Sequence, residues 1–477
     1  MFKIKLLPFL SNFISFDSEN LNGEVKSQKI SSDNFSDFPI LGTEIGTQIS
    51  LGVLQDNIFF IDKAENDKKN NISLNDGNDT IKIELSKFSS NKIDAGSGND
   101  IFKITGEKTS SNDIFLGGEG YDKFEIDQSK DNFITIEDIE EVIFSNLAEG
   151  KNIFNDVKNP LKIKIISGKN LKANDISIEN ISSGSDIEVN SISENNNGIG
   201  NFNVAYKDLE LNDQIIFNSL KENGDFVTEN IKNLTVNFNK KVLMPNHDLK
   251  FNNSEKITIN TEDDLIVRNI ISDTDTTKNN LKEIELTGNK KLEFKNTIET
   301  NLLNKVNISA NEDINVGSVG NGSLSNFITK SLSGKTIIDE IDLSNEGKKS
   351  FLSLHSYGQI NNSVNNSTLI KSETGSIDVI LEGEISHDDK NGAKINFEIT
   401  NPNVGTINLD AKNTNGILSE IINQGVFGNN ETSRISLGNA KNNKENDVKI
   451  SGVTDTLAVL GGSGVDLISF GNKNKIK

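Results

Sequence analysis

The chain has 477 residues, of which 34% are hydrophobic, a formal net charge of −21, and neither cysteine nor tryptophan. Such acidity repels nucleic acid and anionic lipid and makes divalent cations the natural counterions, while the lack of cysteine removes disulfides, thiolate zinc sites and thiol nucleophiles. No apolar run reaches the roughly 20 residues of a membrane span, so a chain this polar folds only if short segments each bury a thin stripe against a neighbour, as solenoid coils do.

Residues 1–45 read as an irregular leader or cap, with Ser, Asp and Asn between scattered phenylalanines. From residue 46 the chain becomes a ladder of short alternating strands separated by Gly, Asn and Asp turns. Within 46–145 one turn recurs. Its full form is Gly117-Gly118-Glu119-Gly120-Tyr121-Asp122-Lys123-Phe124, and a close variant is Ala95-Gly96-Ser97-Gly98-Asn99-Asp100-Ile101-Phe102. A weaker version runs from Leu74 and Asn75 through Gly77 to Asp79 and Ile81, and the faintest from Leu51-Gly52 to Asp56 and Ile58. Asp56, Asp79, Asp100 and Asp122 follow at intervals of 23, 21 and 22 residues. One coil per interval stacks these turns in a column.

The same period appears independently in the region 146–440. Leu281, Ile284, Leu286, Gly288, Leu292 and Phe294 are matched 22 residues later by Leu303, Val306, Ile308, Ala310, Ile314 and Val316, and Ile257, Ile259, Leu265 and Val267 carry the same internal spacing upstream. Each unit offers two short strands with alternating apolar residues, which cannot fold alone and must stack. The expectation is therefore an all-β, elongated parallel β-solenoid (β-roll or β-helix) with coils of about 22 residues and calcium-binding turns. Only five prolines occur, as suits a fold that uses nearly every backbone N–H in ladders. Residues 441–477 hold a last copy of the turn, Gly461-Gly462-Ser463-Gly464-Val465-Asp466-Leu467-Ile468, and read as truncated after it.

The turn has a clear chemistry. Glycines allow positive φ and close backbone approach, so carbonyl oxygens can converge, and the aspartate adds formal charge. Calcium takes six to eight hard oxygen ligands in flexible geometry, which carbonyls and carboxylates satisfy. The candidate calcium ligands and turn residues are Gly77, Asp79, Ala95, Gly96, Ser97, Gly98, Asp100, Gly117, Gly118, Glu119, Gly120, Asp122, Gly461, Gly462, Ser463, Gly464 and Asp466.

These residues resemble the hemolysin-type calcium-binding repeats of the RTX family, whose nonapeptide is Gly-Gly-x-Gly-x-Asp-x-U-x. The match is strongest over 50–130 and 440–470, and looser similarity to RTX-type surface-layer proteins covers much of the middle, as in Lys305 to Val316. Ile134 to Phe144 also looks like the stretch that follows calcium turns in such proteins. The resemblance implies one-step type I secretion, folding on calcium outside the cell, and an ion between successive turns. Asp100 and Asp122 would then share one ion with carbonyls of Ala95, Ser97, Gly118 and Gly120, and Asp79 and Asp100 would flank a second.

No enzyme active site is expected. His-Glu-x-x-His, a Gly-x-Ser-x-Gly elbow and a phosphate-binding loop are all missing, and His247, His355 and His387 are scattered. Asp273-Thr-Asp275 opens like an EF-hand, but Lys278 stands where that loop needs glycine. The expected function is a secreted calcium-binding structural protein of the cell surface, a surface-layer or coat component. Its partners would be calcium ions and either further copies of itself in a lattice or cell-surface glycans, with no nucleic acid and no membrane span. A calcium-dependent adhesin is the first alternative and a β-helix enzyme acting on polysaccharide the second.

Overall fold

The structure is a computed structural model. It describes residues 57–343 apart from 63–68, 87–89, 128–130, 146–149, 156, 158, 168–175, 183, 192–200, 208–211, 219–223, 273–279, 301, 321–322. Outside that range it describes 29–30, 39–41, 48–51, 350–356, 367–372, 377–383, 394–399, 407–414, 418–423, 433–436, 445–451, 457–461 and 465–470. The chain divides into two compact units, Met1–Asn218 and Ser219–Lys477. Each is a parallel β-solenoid in which a strand pairs with the strand one coil later, and no helix occurs among the described residues.

In the first unit the expected alternation becomes columns of inward side chains. Ile81, Phe102, Phe124, Val142, Ile163, Ile187 and Ile215 stand in successive register positions of one sheet. Two residues along, Ile83, Ile104, Ile126, Phe144, Ile165, Val189 and Phe217 form a second column, and all fourteen side chains are buried. Phe115 crosses from the opposite sheet, its ring 4.7 Å from that of Phe124 and 6.0 Å from that of Phe102. Each such side chain removed from water contributes about 1.5–3 kcal/mol. The thin core is therefore adequate because it is repeated. Lys29–Ile30 and Pro39–Leu41, inside the segment read as irregular, pair with 50–51 and 59–61.

The second unit places the repeat pairs as the 22-residue offset requires. Ile284 pairs with Val306, Leu286 with Ile308, Leu292 with Ile314 and Phe294 with Val316. Upstream, Ile257 pairs with Ile284 and Val267 with Phe294, although that coil is longer. A bulge follows the first half of Val242–Asn252 and recurs in Leu265–Ile271 and Leu292–Glu299. There Asp248, 3% exposed, receives two hydrogen bonds from Arg268 (Nε and Nη2, both 2.7 Å) and one from Asn269 at 2.8 Å. Outward rows alternate charge between coils, as in Lys232–Glu255–Lys282, but such exposed pairs contribute little each.

Candidate metal centre

The turns of the first unit stack residue upon residue. Leu74, Ala95 and Gly117 form one row and point inward, and Asn75, Gly96 and Gly118 form the next, with φ of 70°, 98° and 103°. Gly77, Gly98 and Gly120 repeat a φ of 144°, 143° and 145°. A Cβ on Gly96 would lie 1.6 Å from the carbonyl oxygen of Asn75, and one on Gly118 would lie 1.8 Å from that of Gly96. The same holds for Gly98 against Gly77 at 1.5 Å and Gly120 against Gly98 at 1.6 Å. These glycines are thus required twice over, by conformation and by contact with the carbonyls beneath them. Asn75 stands in the left-handed row because asparagine tolerates that region best among residues with a side chain. Between these rows Ser97 pairs with Glu119, and the Ser97 carbonyl accepts from Gly77 N–H at 2.8 Å.

Each turn ends on its aspartate, one residue before the next strand. The amide of Asp79 donates to Oδ1 of Asp100, and the amide of Asp100 donates to Oδ1 of Asp122, both at 2.7 Å. These carboxylates are fully buried, and Oδ2 of Asp100 and Oδ2 of Asp122 have no hydrogen-bond partner. Burial raises the carboxyl of Asp100, partly offset by the hydrogen bond from the Asp79 amide. Burial likewise pushes Asp122 up to about 6; the Asp100 amide lowers it, while the charges of Asp100, Glu140 and Asp138 raise it further. A buried carboxylate oxygen without a donor is costly, and a cation removes that cost.

The donor set is all oxygen, so it fits a hard cation such as calcium rather than a metal that prefers nitrogen or sulfur. Among the described residues no three Asp, Glu or His side chains converge on one point. An ion in this column would therefore be held by carboxylates of adjacent turns and completed by main-chain carbonyls and water. Asp79, Asp100 and Asp122 are brought together by the stacking, with Gly77, Ala95, Gly96, Ser97, Gly98, Gly117, Gly118, Glu119 and Gly120 around them.

The column extends beyond the recognisable motif. The amide of Asp122 donates to Oε2 of Glu140 at 2.6 Å, that of Leu161 to Oγ of Ser185 at 2.9 Å, and that of Gly184 to Oδ1 of Asp213. The sequence separations are 18, 24 and 29 residues, so a search at one fixed period passes over them. Asp213 is 6% exposed and burial pushes its carboxyl up to about 6, with the amides of Gly184 and Ser185 lowering it and Asp186 raising it.

The opposite corner of these coils carries a buried amide ladder. Asn70 Nδ2 donates to Asp62 and to Asn91 Oδ1, both at 2.8 Å, and Asn91 donates to Asp113 through its backbone at 2.9 Å and its side chain at 2.8 Å. Asn132 Nδ2 continues to Asn152 Oδ1 at 2.9 Å. Here carboxylates meet donors, so this edge is a polar spine that satisfies itself. Asparagine or aspartate linked at steps of 20–22 residues was the available signal.

The last copy of the turn is placed only in part. Gly461 is exposed, Gly462, Ser463 and Gly464 lie outside the described residues, and so does Asp56. Asp466 falls within the strand Val465–Phe470 and pairs with Asn446, so its register neighbour is not an acid. The stretch 273–279, which includes Asp273, Asp275 and Lys278, is also outside the described residues. Comparison with family models, curated proteins and solved structures finds no match to this chain.

Proposed function

We propose that this chain is a calcium-dependent structural protein of the cell exterior, a β-solenoid that folds around ions in its turn column and serves in a surface layer or coat. The observation that carries the calcium reading is the pair of buried carboxylate oxygens, on Asp100 and Asp122, left without donors at successive levels of one column. Like charges at successive coil spacings oppose stacking, and a divalent ion between them converts that repulsion into cohesion. Because such sites do not exist in the unfolded chain, binding energy becomes folding energy. The millimolar range where extracellular modules bind calcium matches the environment in which this coupling is useful.

The surface role rests on the repeating solenoid, the charge of −21 and the resemblance carried by the glycine turns. The test uses the full chain. Removal of calcium by a chelator should reduce β-structure in the far-ultraviolet spectrum, and return of calcium to about 10⁻⁴–10⁻³ M should restore it with a measurable binding heat. An unchanged spectrum with no heat would overturn the calcium reading. Electron microscopy after calcium addition then tests the surface role: ordered arrays support a lattice component, whereas binding of monomers to cells or glycans without arrays would assign an adhesin instead.

A further inference from the structure

The turn after Glu137 carries no glycine motif, yet it sits directly on Asp122. Its three residues, Asp138, Ile139 and Glu140, join the strand Asn132–Glu137 to Glu141–Phe144. Asp138 adopts a φ of 53°, and its carbonyl oxygen lies 1.9 Å from where a Cβ on Gly117 would be. Oδ2 of Asp122 lies 2.5 Å from the same point. Two oxygens therefore face one small space that exists only because residue 117 has no side chain. In the coils before it the same row holds Leu74 and Ala95, so this row does not otherwise demand glycine. Asp122 is 0% exposed and its Oδ2 has no donor, while Glu140 reaches the same turn through Oε2 on the Asp122 amide at 2.6 Å. On the far side, Glu141 is occupied by Lys164 at 2.7 Å and Lys123 at 3.3 Å, so its carboxylate is engaged elsewhere.

We infer that this motif-less turn closes the glycine-lined part of the column with a cation site of its own, in which Asp122 Oδ2, the Asp138 carbonyl and the Glu140 carboxylate hold a calcium ion beside Gly117. The proposal deepens the calcium reading and rests on it. Carbonyl and carboxylate oxygens alone suit calcium, and the partly exposed Glu140 and exposed Asp138 leave room for the water ligands that complete its coordination. The nonapeptide is thus not needed on both sides of an ion. A short turn with one left-handed residue and one acid two places later suffices where the glycine rows end.

Calorimetry with calcium on the full chain tests this. Glu140→Gln keeps an oxygen to accept from the Asp122 amide, so its calcium-loaded far-ultraviolet spectrum should match the wild type while its stoichiometry falls by one ion. Gly117→Ala, which fills the shared space, should lose the same ion, and the two changes together should lose no more than either alone. Asp138→Asn leaves the carbonyl in place and should keep the full stoichiometry. Wild-type stoichiometry in both Glu140→Gln and Gly117→Ala would overturn this site while leaving the column above it intact. An absence of calcium binding by the wild type would instead overturn the calcium reading as a whole, and this site with it.

Discussion

The backbone amide of Asp100 donates to the carboxylate of Asp122, 22 residues further along, at 2.7 Å. This contact joins two consecutive turns without using the strand ladders, and it fixes which oxygen of Asp122 is occupied. Oδ2, the one left over, is what the column offers to a cation. Asp100 stands between Asp79 and Asp122, so it belongs to two levels at once.

From this position follows a large expected loss of calcium. Asp100→Ala, like Asp122→Ala with its added site beside Gly117, should remove more bound ions than Asp79→Ala, because it strips a charged ligand from two neighbouring levels. Asp100→Ala also leaves the buried Asp79 amide without its acceptor, at a cost of about 1–3 kcal/mol. Calorimetric stoichiometry of the three variants decides the matter. Equal losses would mean that each turn binds independently and that the column is not shared.

The glycine rows make a sharper stability prediction. Gly98→Ala places a Cβ 1.5 Å from the Gly77 carbonyl at a φ of 143°, so the turn has to rebuild. Thermal melting in saturating calcium should show a loss of roughly 3 kcal/mol or more, the size associated with strain at a special backbone conformation. Ser97→Ala, one residue earlier, should stay within about 0.5 kcal/mol. Similar effects from both would remove the carbonyl contact as the reason for the glycine.

In the second unit, Ile308 lies 1% exposed between Leu286 and Thr329 in the inward column. Ile308→Asp buries a carboxylate with no cation beside it and only the Thr329 hydroxyl as a neighbouring donor, and should cost roughly 3–5 kcal/mol. Denaturant titration should show the loss, whereas Ile308→Val, which keeps the position apolar, should cost only about 0.5–1.5 kcal/mol. A tolerated Ile308→Asp would contradict the register.

Asp213 supplies the pH prediction. Its carboxyl titrates at about 6 in the folded chain because burial disfavours the charged form, against about 3.9 when unfolded. Above pH 6 the charge is present and its desolvation weakens the fold. As pH falls through 6 towards 4 the folded state takes up a proton before the unfolded state does, and stability rises. Asp213→Asn retains an acceptor for Gly184 and should therefore gain about 2–3 kcal/mol over the wild type at pH 7 and only about 0.5 kcal/mol near pH 4. Melting of both proteins at the two pH values, in saturating calcium, checks the difference; a gain that is the same at both would exclude titration of Asp213 as its source.

Sequence alone determined the coil and much of its register. Apolar residues alternating with period two must face one way in a strand, and a fixed 22-residue recurrence lets only one stacking bring Ile284 onto Val306 and Leu286 onto Ile308. The glycine rows were equally legible, because positive φ and close carbonyl approach exclude other residues at 96, 98, 118 and 120. Tertiary structure alone decided that Glu140 and Asp213 follow Asp122 in kind, since turns of different length lie between strands whose ends are held level by the sheet. A turn can lengthen outward or shorten to three residues without moving the strand that follows it, so spatial neighbours in the column drift to separations of 18, 24 and 29 residues. It also decided which acids are satisfied: Asp113 meets Asn91 on one edge, whereas Asp122 keeps an oxygen without a donor on the other. Both are an aspartate beside a strand in sequence, and only the partner that stacking delivers across the coil distinguishes a structural ladder from a place for an ion.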